Sequence, residues 1–144
     1  MAIAQAANQL VVFSLGEEEY ALPITQVQEI IRYSEPRAVA SEAPWIRGVI
    51  SLRGKIVPVC DLAARLGVPA VDTSSGKIIV VETESGTAGI IVGDVEEVLT
   101  VDESQVESLP TAGADLIDAI VKIEGRLVVL LDAEAIFAGV VLEA

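Results

Sequence analysis

The amino-acid sequence predicts an all-β protein with short helices, folded as two five-stranded barrels side by side. Three observations carry this. The apolar residues are mostly β-branched, with 21 Val and 15 Ile against 13 Leu, and such side chains lose rotamer freedom in helices but pack well on pleated surfaces. Turn residues cut the chain into short apolar runs, as expected of strands joined by hairpins. The runs then recur, so the second half repeats the first. A sheet of five short strands leaves exposed edges unless it curls closed. At 144 residues the chain is one domain of ordinary size, divided into one copy over about 9–68 and another over about 77–139. A copy of about 65 residues buries little core alone, so the two are expected to share an interface.

The elements follow in order. Leu10–Leu15 is a strand that ends at the charged tip Gly16-Glu17-Glu18-Glu19. Tyr20–Ile24 and Val27–Arg32 come next. Val49–Leu52 and Lys55–Cys60 are separated only by Arg53-Gly54, a hairpin signal. Asp61 then precedes Leu62-Ala63-Ala64-Arg65-Leu66-Gly67, which reads as N-cap, short helix and C-cap glycine. The second copy gives Ile78–Thr83, Ala88–Val92, Val95–Val101, and then Ala119–Ile123 and Arg126–Leu131 around Glu124-Gly125. Asp132 again precedes a short helical run that ends at Gly139. At an offset of 68 residues, Leu10-Val11-Val12 falls on Ile78-Ile79-Val80, and Val27, Glu29, Ile30 and Ile31 fall on Val95, Glu97, Val98 and Leu99. At an offset of 71, Gly54-Lys55-Ile56-Val57 falls on Gly125-Arg126-Leu127-Val128, and Asp61 falls on Asp132. Pro23 and Pro58 sit inside strand runs. Proline cannot donate to a ladder, so each is expected at an edge, a bulge or a barrel mouth.

Composition excludes several functions. The chain has no histidine and one cysteine, so it has no histidine-based triad, imidazole acid or histidine metal ligand, and no intramolecular disulfide. A net charge of −13 argues against nucleic acid, which needs clustered cations. No apolar run approaches the roughly 18 residues of a membrane span, and the N-terminus lacks a signal-peptide pattern. The charge is uneven. Residues 1–77 carry 7 bases and 8 acids, net −1, and residues 78–144 carry 2 bases and 14 acids, net −12. Five of the nine bases lie from Arg32 to Lys55, which suggests a mixed, basic-edged face opposite an acidic one. Rim charges of that kind orient partners. Cys60, beside Asp61, reads as an inert core thiol. Trp45 has two readings, packing over a barrel end or contact with a partner. No constellation of catalytic groups is present, so no enzyme is expected.

The run Pro44-Trp45-Ile46-Arg47-Gly48-Val49-Ile50-Ser51-Leu52-Arg53-Gly54-Lys55-Ile56-Val57-Pro58-Val59-Cys60-Asp61-Leu62 resembles the signature of the CheW-like chemotaxis coupling family. Phe13 to Tyr20, Val27-Gln28-Glu29-Ile30 and Gly89 to Val95 resemble it too, so the likeness runs from about residue 9 to 139. Cys60 stands where the family often has an aliphatic residue, and Ala63-Ala64 replaces more polar residues.

The resemblance implies two SH3-like barrels and an adaptor that takes no cofactor. The implied partners are the cytoplasmic tip of chemoreceptors and the regulatory domain of the histidine kinase CheA, met in the cytoplasm at membrane receptor arrays. It implies a receptor groove with Val27, Ile30 and Ile31 on one wall and Val95 and Val98 on the other. Glu29 and Arg53 would pair there or contact the receptor. The kinase contact would use Val39, Arg47 and Ile56, with a further ring contact near Leu109-Pro110. At this length no receiver domain is expected after the coupling domain. Two alternatives remain: the same adaptor in a non-flagellar pathway, and a small-ligand (purine) binding double barrel. The second finds no supporting motif among five aromatic residues.

Overall fold

The computed structural model describes residues 9–39, 44–70, 72, 76–84, 86–108 and 116–137. Eleven strands and two short helices follow one another as β1 Gln9–Leu15, β2 Glu18–Pro23, β3 Val27–Arg32, β4 Ile46–Leu52, β5 Lys55–Asp61, α1 Leu62–Leu66, β6 Lys77–Thr83, β7 Gly86–Val92, β8 Asp94–Thr100, β9 Val106–Ser108, β10 Ile117–Ile123, β11 Arg126–Leu131 and α2 Ala133–Ile136. The expected strands are all present. Sequence reading missed β9, which has only three residues, too few for a periodicity to register. The second helical run was expected to reach Gly139; α2 ends at Ile136, and residues from 138 lie outside the described set.

Two sheets result, one of five strands in the order β3-β6-β7-β5-β4 and one of six in the order β8-β1-β2-β11-β10-β9. These do not follow the copies. The hairpin β1–β2 of the first copy joins β8, β10 and β11 of the second, and β6–β7 joins β3, β4 and β5 of the first. The copies therefore exchange their first hairpins rather than forming separate barrels over 9–68 and 77–139. The exchange is symmetric. Parallel pairing of β5 with β7 matches parallel pairing of β11 with β2. A chain that crosses between sheets after two strands cannot separate into two independent halves.

The tight hairpins form for a local reason. Arg53 and Gly54 have φ of 53° and 81°, and Glu124 and Gly125 have φ of 46° and 85°. Positive φ at both central residues is the turn whose twist matches paired strands. Asp61 accepts from Ala64 N–H at 3.2 Å and so caps α1, while Gly67 closes it with φ 76°. Pro58 lies opposite Val49, whose N–H and C=O are both bonded to Arg37. The proline's missing donor therefore faces β7, where parallel pairing begins only at Val59. That is a barrel mouth, one of the three expected settings.

The largest core cluster lies between the sheets. Phe13, Leu22, Cys60, Leu62, Ile79, Ile90, Leu131 and Ile136 belong to it and are essentially fully buried. Each barrel also has a small interior, with Val57, Val59, Ile78 and Val80 in the first and Leu10, Val12, Val121 and Val128 in the second. Trp45 packs against the shared cluster, edge-on to Phe137 at 6.4 Å, with Arg65 over its ring at 4.7 Å. Of its two readings, packing over a barrel end is the one observed. The start and end of α2 are tied across the interface by three residues: Gln26, which donates to Asp132 and accepts from Ala133 N–H, Arg65, which donates to the Ile136 carbonyl, and Glu84, whose N–H donates to Glu134.

Gly48 sits where β4 bulges against β5, with φ 153°. A Cβ there would lie 2.1 Å from the Arg37 carbonyl oxygen. That carbonyl and its N–H hold the segment before β4 to Val49 at 2.9 and 2.8 Å. Gly48→Ala is expected to cost about 1–3 kcal/mol, the range for forced overpacking, read as a lower urea midpoint at unchanged slope. A variant as stable as the parent would mean that this backbone contact is absent.

Candidate docking surface

β3 and β8 occupy equivalent places, each at the edge of its sheet and, among the described residues, bonded to one neighbouring strand, β6 and β1 respectively. Their side chains alternate, as strand geometry requires. Val27 and Val95 pack against the shared core, which anchors the start of both strands to the same mass of side chains. The bulge in each strand resets that alternation: Ile30, paired with Ile79, returns to the face of Val27, paired with Val81, and Val98, paired with Val11, to the face of Val95, paired with Phe13. Ile30 and Val98 lie farther along that face and are 39% and 51% exposed. Two apolar side chains at matching positions on two edge strands form a surface that the molecule itself does not cover. Ile31, expected on the same wall, does not lie there. It packs on the first barrel's interior with Tyr33 and Leu52, because neighbouring residues on a strand face opposite sides.

Beside Ile30, Arg53 holds Glu29 through both guanidinium nitrogens, Nη1 to Oε2 and Nη2 to Oε1, the latter at 2.9 Å. The turn at Arg53-Gly54 directs the guanidinium across to β3. Its hydrogen bond holds the Glu29 carboxyl below the usual carboxylate range. The Arg53 side chain is 71% exposed, so solvent screens this pair and its weight in stability is small. A cleft of about 260 Å³ adjoins it, lined by Gln28, Glu29, Leu52, Arg53, Lys55, Val57 and Thr87.

The second copy repeats this arrangement with different chemistry. Glu97, the counterpart of Glu29, is held by Arg126 Nη2 at 2.5 Å, and Arg126 Nε pairs with Glu19 at 3.1 Å. The cation comes from the strand because the turn position that matches Arg53 is Glu124. At the bulge in β3 the extra residue is Gln28, which donates to Glu82. At the bulge in β8 it is Glu96, whose carboxyl meets Glu19. Two carboxyls that share a hydrogen bond must keep a proton between them. The contact with Glu19, together with some burial, pushes Glu96 up to about 6. Glu19, Glu96 and Glu97 place carboxylate oxygens within 4.8 Å of one another around the single Arg126.

The residues expected to meet the kinase do not all converge. Ile56 is 47% exposed and lines a cleft of about 330 Å³ with Ser34, Glu35, Arg37 and Val49. Val39, 45% exposed, lies two residues beyond Arg37. Arg47 is at the other end of the hairpin, paired with Asp61 at 3.0 Å. Ile56 pairs with Ser51, four residues along β4 from Arg47, which is roughly 13 Å at the rise of an extended strand. Leu109 and Pro110 lie outside the described residues. One exposed apolar residue was missed: Leu127, 61% exposed. The offset of 71 that relates it to Ile56 was the available signal. Cys60 is fully buried, and desolvation with the neighbouring Asp61 charge raises its thiol pKa far above the ordinary value, which suppresses the nucleophilic thiolate.

Two interlocked barrels whose exposed features are apolar contacts and ion pairs define a docking scaffold. The comparisons name the family. The CheW-like domain model matches residues 9–141, and the chain belongs to that family. It is 37% identical over 137 residues to the chemotaxis protein CheW of Bacillus subtilis, covering 92% of this chain and 88% of that protein. It is 33% identical to the probable chemotaxis protein CheW of Rhizobium etli, covering 97% and 94%. The crystal structure of the scaffolding protein TtCheW from Thermoanaerobacter tengcongensis superposes with a TM-score of 0.86 at 31% identity, covering 95% of this chain and 99% of that one. The chain is a chemotaxis scaffold. None of its described helices is long and apolar enough to cross a membrane.

The Glu96 shift predicts a pH dependence. Between the ordinary 4.5 and about 6 the folded chain holds more protons than the unfolded one, so Glu96 lowers stability as pH rises through that window. Glu96→Gln supplies a permanent donor to Glu19, as Gln28 does to Glu82. The variant is expected to melt higher than the parent at about pH 7.5, with the gap closing as pH falls from about 6 to 4.5. A gap of equal size at both ends would contradict the shared proton.

Proposed function

We propose that this scaffold couples the cytoplasmic tip of a chemoreceptor to the regulatory domain of the histidine kinase CheA, and so works at membrane receptor arrays. The observation that carries this is the matched pair Ile30 and Val98, exposed at equivalent positions of two edge strands that share one core. A receptor tip helix would lay its apolar stripe against both walls. The Glu29–Arg53 pair stands beside one wall and sets its polar rim, which favours orientation more than affinity. The kinase domain would take the first barrel's far end, around Ile56, Val39 and the cleft under residues 34–37. Arg47 would act there only indirectly, since Asp61 already engages it. The family's scaffold role and the buried state of Cys60 both favour coupling over catalysis.

The test is a titration of the intact protein with a receptor tip fragment and, separately, with the kinase regulatory domain. Val98→Asp is expected to weaken receptor binding tenfold or more, about 1.4 kcal/mol or above, and to leave kinase binding within twofold. Arg53→Asn removes the charge while keeping a residue type that tolerates positive φ. It is expected to weaken receptor binding by about twofold to fivefold with no loss of melting temperature. Unchanged receptor affinity in Val98→Asp would overturn the assignment.

A further inference from the structure

The two copies cross between sheets differently. The second crosses at Gly93, whose N–H bonds to the Ser14 carbonyl at 2.8 Å. The first crosses through the 3₁₀ turn Ile24–Gln26, directly before Val27 of β3. The side chain of Gln26 spans the interface. Its Nε2 donates to Asp132 Oδ1 at 2.9 Å, and its Oε1 accepts from Ala133 N–H at 3.0 Å. Both ends of one amide thus engage the first turn of α2, in the opposite sheet's part of the chain. Ala133 N–H is one of the donors that a helix start leaves without an internal partner. Asp132 is meanwhile fixed by Glu134 N–H at 3.1 Å. The equivalent cap in the first copy, Asp61, is met by Arg47 of its own copy instead.

This asymmetry falls where position matters. β3 is an edge strand with β6 as its bonded neighbour among the described residues. The contacts at its start, Val27 beside Val81, Gln28 to Glu82 and Glu29 to Arg53, all tie it to its own sheet or the shared core, and none reaches α2. We propose that Gln26 is a positioning residue for the docking surface: its amide pins the start of β3 to α2 and so sets the Ile30 wall relative to the Val98 wall. This rests on the proposed receptor groove. A carboxylate cannot replace the amide, because it would face Asp132 with no proton to donate. An exchange of roles can replace it: asparagine at 132, turned so that Nδ2 faces residue 26 and Oδ1 keeps the Glu134 N–H, supplies a donor and still caps a helix well, and a carboxylate at 26 accepts from both it and Ala133 N–H.

The experiment uses the full chain and three variants, Gln26→Glu, Gln26→Glu combined with Asp132→Asn, and Ile30→Asp. It reads amide hydrogen exchange across β3 and affinity for a receptor tip fragment and for the kinase regulatory domain. Gln26→Glu is expected to speed exchange at Val27–Arg32 at least tenfold and to weaken receptor binding about tenfold. Kinase-domain binding stays within twofold, and the double variant returns both altered readouts to within threefold of the parent. If Gln26→Glu leaves β3 exchange unchanged, the clamp is wrong. It is also wrong if exchange rises and receptor binding holds while Ile30→Asp weakens it, or if both partners are lost equally and the double variant restores neither. If Ile30→Asp has no effect on receptor binding, the groove assignment fails instead, and exchange with its rescue alone decides the clamp. Should Gln26→Glu not fold, Gln26→Ala replaces it with the same expected exchange and affinity changes.

Discussion

The structure depends on the burial of one apolar mass between two sheets that neither repeat could cover alone. Phe13, Leu22 and Leu62 come to it from the first copy, and Ile79, Ile90, Leu131 and Ile136 from the second. The barrel interiors are smaller. A short barrel has a narrow inside and a large outside, so most burial available to this chain lies where two outsides meet. Exchange of the first hairpins makes that meeting obligatory. β1–β2 and β6–β7 each complete the sheet of the other copy, so the covalent chain crosses between the sheets after β2 and again after β7.

Function follows from the same constraint. Each crossing after a hairpin delivers an edge strand, β3 or β8, whose leading valine, Val27 or Val95, is rooted in the shared core and whose next residue on that face, Ile30 or Val98, is left apolar and exposed. Most proteins blunt such edges with charge, and this one does so only in part. Glu29 with Arg53 and Glu97 with Arg126 flank the exposed Ile30 and Val98 without covering them. The result is a pair of sticky, oriented edges at a spacing set by the core. Such a surface suits a scaffold whose task is to hold partners in register. The divergence of the copies supplies direction. One bulge carries a neutral Gln28 where the other carries a proton-sharing Glu96, and the amide of Gln26 ties down one crossing but not the other.

Much of this was legible in the sequence. The two-residue turns at Arg53-Gly54 and Glu124-Gly125, the caps Asp61 and Asp132, and the offsets of 68 and 71 are local signals with local causes. The hairpin exchange was not legible, and the repeat itself is the reason. Leu10-Val11-Val12 and Ile78-Ile79-Val80 carry the same pattern, so periodicity cannot say which sheet each joins. The placing of Ile31 beside Ile30 was a legible error, since strand alternation forbids two neighbours on one face. The separation of Arg47 from Ile56 was hidden for another reason. Its partner Asp61 lies 14 residues on and is met only through the hairpin register. Gln26 left no signal at all, because an amide in a turn is commonplace until its partner across the interface is known.

The central claim is that two edge strands rooted in one core act as a single docking surface. The most direct measurement is a methyl-NMR titration of the intact protein with a receptor tip fragment. The account predicts that the Ile30 and Val98 methyls shift together along one binding curve while Ile56 and Leu127 stay unmoved. Shifts centred on Ile56 and Val39, or separate curves for Ile30 and Val98, would contradict it.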